Sequence, residues 1–178
     1  RLNYPLIDGV VNGCPSHLLE PSRLQLIQYS EDFSQSSWVR TNASITSNAI
    51  ISPNGTLSAD LLLCNTDNAG TNFVRQYKSI TDTTHTLSFY AKSNESSIVK
   101  IAEAAYTGQQ LNFNLSNNTI SGGGSQVSGT ISDYVNGWKK ITFTYIYTVG
   151  QTDCYLNINS ISAYIWGAQL EQGSFPTS

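Results

Sequence analysis

The strongest constraint on this chain is a period of two. In Leu111-Asn-Phe-Asn-Leu-Ser116, residues Leu111, Phe113 and Leu115 share one face, with Asn112 and Asn114 opposite. Lys140-Ile-Thr-Phe-Thr-Tyr-Ile-Tyr147 sets Ile141, Phe143, Tyr145 and Tyr147 against Thr142 and Thr144. Across residues 86–92, Leu87, Phe89 and Ala91 face away from Ser88 and Tyr90. Side chains alternate in this way only along an extended strand with one face on a core and the other toward solvent, as in antiparallel sheets. Turn-formers separate the runs: Ser52-Pro-Asn-Gly55, Asn68-Ala-Gly70, Asn117-Asn118, Ser121-Gly-Gly-Gly124, Asn136-Gly137 and Val149-Gly150. No segment carries a sustained helical apolar stripe. Residues 30–34 suggest one short helical turn, with Ser30 as its cap. The expectation is all-β: a two-sheet antiparallel β-sandwich of the jelly-roll type.

A chain of 178 residues is long enough for one domain with a real core. Residues 1–15 place a breaker every few positions (Tyr4-Pro5, Asp8-Gly9, Asn12-Gly13, Cys14-Pro15) and read as an extended N-terminal arm or linker, or as a loop folded over a sheet. The sandwich domain is expected over residues 16–178. Arg1 in place of a start methionine suggests a module within a longer polypeptide. Charged residues make up 12%, about half the usual share, so hydroxyls and amides solvate the surface, in the manner of extracellular or virion β-proteins. A net charge of -3 with scattered Lys and Arg argues against nucleic acid, which needs clustered cations. No apolar stretch approaches the roughly 20 residues of a membrane-spanning helix, so no membrane insertion is expected. Cys14, Cys64 and Cys154 are odd in number and lack metal-ligand spacing; Cys64 and Cys154 read as small buried hydrophobes.

Both ends carry a signature. The first runs Cys14-Pro-Ser-His-Leu-Leu-Glu-Pro-Ser-Arg-Leu-Gln-Leu-Ile-Gln-Tyr-Ser-Glu-Asp-Phe-Ser-Gln-Ser-Ser-Trp38, and the last Tyr164-Ile-Trp-Gly-Ala-Gln-Leu-Glu-Gln-Gly-Ser-Phe-Pro-Thr177. With Thr86-Leu-Ser-Phe-Tyr-Ala-Lys92 and Asn136-Gly-Trp138 between them, the chain resembles a β-sandwich domain common in bacteriophage tail and virion structural proteins. That family is related to carbohydrate-binding modules and concanavalin A-like lectins. The resemblance covers most of the chain from about Ser16. It implies adjacent first and last strands, so that the signatures near Leu18 and Leu170 meet and seal the sandwich edge.

Sugars are held by flat side chains stacked on the apolar C–H faces of the ring, with amides and charged groups fixing the hydroxyls. Tyr90 is the aromatic on the polar face of its strand, beside Ser88 and Lys92. Arg75, Gln76, Tyr106 and Asn112 are the nearby residues of suitable chemistry, and with Tyr90 they form the candidate carbohydrate-binding set. The plainer reading has Tyr90 packed beneath the N-terminal arm or a neighbouring subunit. Trp38, Trp138 and Trp166 read as packing residues.

The resemblance brings in a structural calcium, for which Glu20, Asp32, Asp60 and Glu171 are the available carboxylates, but no Asp-x-Asp loop is present. No other cofactor is implied. Enzyme chemistry fails on inventory: Glu31 and Asp32 are sequence neighbours, Glu103 and Asp133 stand alone, and His17 and His85 accompany no nucleophile elbow. His85 reads as a turn residue before a strand. The expected function is a non-catalytic adhesion module of a phage virion (tail fibre, head fibre or capsid decoration), facing outward. Its partners would be surface polysaccharide and other virion subunits in a homo-oligomer, a trimer included. A purely architectural virion domain and a secreted bacterial carbohydrate-binding module are the alternatives.

Overall fold

The computed structural model describes residues 24–80, 83–103, 109–147 and 156–176 and, as backbone alone, residues 2–3, 6–7, 10–11, 16–17 and 153–154. Twelve strands build the sandwich: β1 (Val39–Thr41), β2 (Ala43–Ile51), β3 (Leu57–Cys64), β4 (Phe73–Arg75), β5 (Thr84–Ser93), β6 (Ile98–Glu103), β7 (Gln110–Asn114), β8 (Thr119–Gly123), β9 (Val127–Asp133), β10 (Lys139–Ile146), β11 (Leu156–Asn159) and β12 (Ala163–Gln172). Sheet I has the order β9-β10-β5-β12-β3-β2 and sheet II the order β8-β7-β6-β11-β4-β1. Every pairing within the two sheets is antiparallel. The all-β sandwich expected from the alternation is the fold observed.

The alternating apolar sets meet between the sheets. Leu87, Phe89 and Ala91 of β5, Ile141, Phe143 and Tyr145 of β10, and Ile165 and Leu170 of β12 come from one side. Val74, Val99, Ile101, Leu111, Phe113 and Ile158 come from the other. Each large apolar side chain buried there contributes about 1.5–3 kcal/mol, enough for a core without covalent staples. Cys64 is a free buried thiol in this cluster, and burial pushes its ionisation up, as a core role requires. Cys14 and the side chain of Cys154 lie outside the described residues. At the β8–β9 side the sheets approach closely because Gly129 has no side chain: a Cβ there would stand 2.7 Å from the Thr142 carbonyl and 2.9 Å from Leu111 and Phe113.

Four local expectations are corrected. The Gly-rich run at 121–124 is mostly strand, since β8 continues to Gly123, and the hairpin turn falls at 115–118 with Asn118 at φ 58°. His85 is no turn residue: it shares the parity of Leu87, Phe89 and Ala91, so it enters the core, its ring 5.4 Å from Tyr147 and edge-on. Residues 30–34 form turns without a helix. The capping group is Asp32, whose Oδ1 accepts from the Ser34 N–H at 3.0 Å and whose Oδ2 accepts from Gln35 Nε2 at 2.6 Å. The hydrogen bonds from Ser34 and Gln35 hold the Asp32 carboxyl below its usual range.

The fourth correction concerns the ends. The two signatures do meet, but in the interior of sheet I. β3 pairs with β12 only at Ala163, Tyr164 and Ile165. Beyond that point residues 25–30 take its place: the Leu26 N–H donates to the Leu170 carbonyl at 2.8 Å and the Ala168 N–H to the Ser30 carbonyl at 2.8 Å. Gln25 completes the seam, Nε2 donating to the Ala168 carbonyl at 3.0 Å and Oε1 accepting from the Leu170 N–H at 2.8 Å. The sheet edges are β9 and β2, and β8 and β1. Leu18 lies outside the described residues. Farther upstream, Leu2–Asn3 pairs with Ser16–His17 and Leu6–Ile7 with Val10–Val11, so the N-terminal stretch doubles back on itself across the expected boundary at residue 15.

Candidate functional site

Strand parity divides the sequence-derived set between the two sheets. Tyr90 points outward from sheet I, while Arg75 and Asn112 belong to β4 and β7 of sheet II. Tyr106 lies outside the described residues. The Arg75 guanidinium lies 4.5 Å from the Phe73 ring centre and donates to Asn157 Oδ1 at 3.3 Å. Asn112 accepts from Gln110 Nε2 at 2.8 Å and donates to Ser121 Oγ at 3.4 Å. Gln76 is buried, and both ends of its amide are engaged: Nε2 donates to the Gln28 carbonyl at 2.5 Å and Oε1 accepts from the Gln28 N–H at 3.1 Å. Gln76 therefore ties the segment beside β12 to the end of sheet II. The outer face of sheet II is further occupied by the loop at 65–72, which receives Asn157 Nδ2 on the Ala69 carbonyl at 2.7 Å and Asn159 Nδ2 on the Asn72 carbonyl at 2.7 Å.

What gathers around Tyr90 is aromatic. In register, Tyr90 stands opposite Trp166 on one side and Lys140 on the other, and Lys92 opposite Tyr164. Same-parity residues on neighbouring strands share a face, so these five form one patch. The Tyr90 ring lies 5.6 Å from Trp166 and 4.8 Å from Tyr134, which arrives from the turn after β9. Lys140 Nζ sits 5.9 Å from the Tyr90 ring centre. Gly167 makes room for this packing: its φ is +67°, and a Cβ there would come within 3.3 Å of Tyr90 Cδ2. Burial raises the Tyr90 phenol above its ordinary value, helped by the adjacent Tyr134 and the hydrogen bond to it. The Trp166 Nε1–H is buried with no partner among the described residues, although the rest of the side chain is only half-buried. Trp38 and Trp138 differ: both are buried, their indole N–H groups donating to the Tyr29 and Ile51 carbonyls. Sequence reasoning found Tyr90 but read Trp166 as packing only. The available signal was the shared outward parity of Tyr164 and Trp166 in the last strand.

The same face continues along β10 into a groove of about 250 Å³ lined by Ser128, Thr130, Thr142, Thr144, Phe175 and neighbouring residues. Its hydroxyls form a cross-strand ladder, Thr130 to Thr142 at 2.7 Å and Thr86 to Thr144 at 2.9 Å. The C-terminal segment is fixed over the sheet, Thr86 Oγ1 donating to the Gly173 carbonyl at 2.7 Å and the Gly173 N–H to the Thr84 carbonyl at 2.7 Å. Platform and groove together offer flat rings beside rows of hydroxyls.

Three of the carboxylates are committed to the fold. Asp60 is buried, Oδ2 accepting from the Phe33 N–H at 2.8 Å and Oδ1 from the Asn48 N–H at 3.0 Å. Burial raises its pKa, opposed by those two bonds. Glu103 accepts from the Tyr147 hydroxyl at 2.9 Å inside the core. Asp133 pairs with Lys139, and that bond holds its carboxyl below the usual range. Among the described residues no three His, Cys, Asp or Glu side chains cluster as a metal site, and Glu20 lies outside them. No helix among them is long and apolar enough to cross a membrane.

No family model matches this chain, and no curated protein does. Two solved structures of similar outline are the CBM22-1–GH10 modules of the Clostridium thermocellum endo-1,4-β-D-xylanase 10B complexed with xylohexaose, and the enzymatically active domain of tailspike protein 4 of bacteriophage CBA120. The first is 10% identical with a TM-score of 0.47, covering 88% of this chain and 29% of that one. The second is 12% identical with a TM-score of 0.46, covering 84% of this chain and 21% of that one. This chain thus spans less than a third of either neighbour.

Proposed function

We propose that this chain is a non-catalytic carbohydrate-binding module of a phage virion, facing outward and adhering to surface polysaccharide through the outer face of sheet I. The observation that carries the reading is the Tyr90, Trp166 and Tyr134 platform continuing into a hydroxyl-lined groove. Stacking needs ring faces presented from a rigid support, and Tyr90 and Trp166 stand on adjacent central strands of a six-stranded sheet. The virion setting rests on the sequence resemblance of the two ends and on a surface of amides and hydroxyls. Asp60, Asp67, Glu103 and Asp133 are each engaged by a hydrogen bond or ion pair within the fold, which is why the module is proposed as a binder without chemistry. Repetition on a particle would turn weak single sites into firm adhesion.

Affinity electrophoresis of the domain through a panel of neutral and acidic polysaccharides tests this. Retardation by at least one polymer, lost in Tyr90→Ala and in the surface variant Tyr134→Ala, is the expected result. If no polymer slows the protein, the reading fails.

A second reading, an architectural domain contacting other virion subunits, is favoured by an apolar patch. Ile51 and Leu57 are paired across β2 and β3 and are 55% and 62% exposed. The bond from Trp138 Nε1 to the Ile51 carbonyl brings the turn carrying Val135, 49% exposed, to the same end. Light scattering that shows a stable oligomer broken by Leu57→Glu would support it.

A further inference from the structure

We infer that the polysaccharide held at this face is anionic, its carboxylates meeting Lys92, two residues along the strand from Tyr90, and Lys140, across from Tyr90 on β10. The inference rests on the carbohydrate-binding reading and adds the chemical class of the ligand.

The whole chain is acidic, with 12 Asp and Glu against 9 Lys and Arg. The platform reverses that balance. Its outward set of Lys92, Tyr164, Tyr90, Trp166 and Lys140 contains two ammonium groups and no carboxylate. Neither lysine has an ion-pair partner among the described residues, whereas Lys100 and Lys139 elsewhere are paired with Asp67 and Asp133. Lys92 is held across the turn after β9 by donating to the Asn136 carbonyl at 2.8 Å, which leaves two of its three N–H groups for a ligand. Lys140 Nζ lies over the Tyr90 ring, 5.9 Å from its centre. A cation within about 6 Å of a stacking ring can reach the substituents of a sugar held against that ring. On an acidic protein that would otherwise repel polyanions, two unpaired cations flanking the platform select for carboxylate. A neutral polymer gains from them only ordinary hydrogen bonds, which a glutamine side chain can also donate.

The test uses matched polymers: polygalacturonate, alginate, hyaluronan and polysialic acid, each beside its carboxyl-reduced form, in affinity electrophoresis at low and at raised ionic strength. At least one acid form is expected to bind about tenfold or more tightly than its reduced partner, with the preference shrinking as salt screens it. Lys92→Gln and Lys140→Gln should each weaken the acid form about three- to fivefold and leave the reduced form unchanged, while Lys100→Gln on sheet II changes neither. Equal binding of acid and reduced forms overturns the anionic inference and leaves the carbohydrate reading standing. Binding to none of the eight polymers overturns both.

Discussion

Tyr90 lies on the space that Gly167 leaves empty. The two belong to adjacent strands, and the register of β5 against β12 shifts there, so Gly167 takes φ +67° and a Cβ at that position would stand 3.3 Å from Tyr90 Cδ2. The platform thus depends on a backbone irregularity in the last strand as much as on its rings.

Gly167→Ala is expected to lose about 1–2 kcal/mol, because an L side chain is strained at this φ and the tight contact pushes Tyr90 aside. Urea midpoints measure the first effect, and weaker retardation by the bound polysaccharide the second. Unchanged stability and binding would mean that the bulge is incidental to the site.

Trp166 should be the optical reporter of binding. Trp38 and Trp138 are buried with bonded N–H groups, while Trp166 is half-buried on the outer face. Ligand is therefore expected to change the emission of the wild type and to leave Trp166→Phe silent. A change that persists in Trp166→Phe places the ligand elsewhere.

Asp60→Ala should be among the most damaging substitutions. It strands the buried Phe33 N–H, at a cost of about 1–3 kcal/mol, and releases the Asn48 N–H in an exposed stretch of β2 to water. Asn48 sits at φ 54° in the irregular stretch of β2, and Phe33 begins the cap that includes Trp38, at 4.6 Å between ring centres. Hydrogen exchange at Phe33 and Asn48 should accelerate together. Acceleration at only one would show that the carboxylate does not couple the two loops.

Stability should fall as the solution is acidified below about pH 6.5, through His85. Burial lowers its folded pKa, so between that value and the unfolded one the unfolded chain binds more protons, and stability rises with pH. The slope contributed is at most about 1.4 kcal/mol per pH unit. Melting curves from pH 5 to 8 measure it, and His85→Phe should flatten the trend. Asp60 acts with the opposite sign nearer its unfolded value of 3.8, since its folded pKa is raised: the folded state there is the first to take up a proton as pH falls.

How much of this the chain disclosed beforehand can be traced residue by residue. The faces of residues 86–92, 111–115 and 140–147 followed from parity alone, because a strand has only two sides and water decides between them. Parity also places His85 in the core, against the polarity of its neighbours in Thr83-Thr-His-Thr86. The grouping of Tyr90 with Arg75 and Asn112 failed for a different reason: outward parity says that a residue leaves its sheet, not which sheet carries it.

Alternation, turn chemistry and a low charge density thus determined by themselves that the chain is an antiparallel sandwich with a polar exterior, since those features act between near neighbours. Tertiary structure alone decided that β5 lies between β10 and β12, bringing Lys140 and Trp166 to either side of Tyr90, and that residues 25–30 replace β3 beside the last strand. Strand order is settled by the joint packing of all twelve strands around one core, and no local stretch of sequence carries that information.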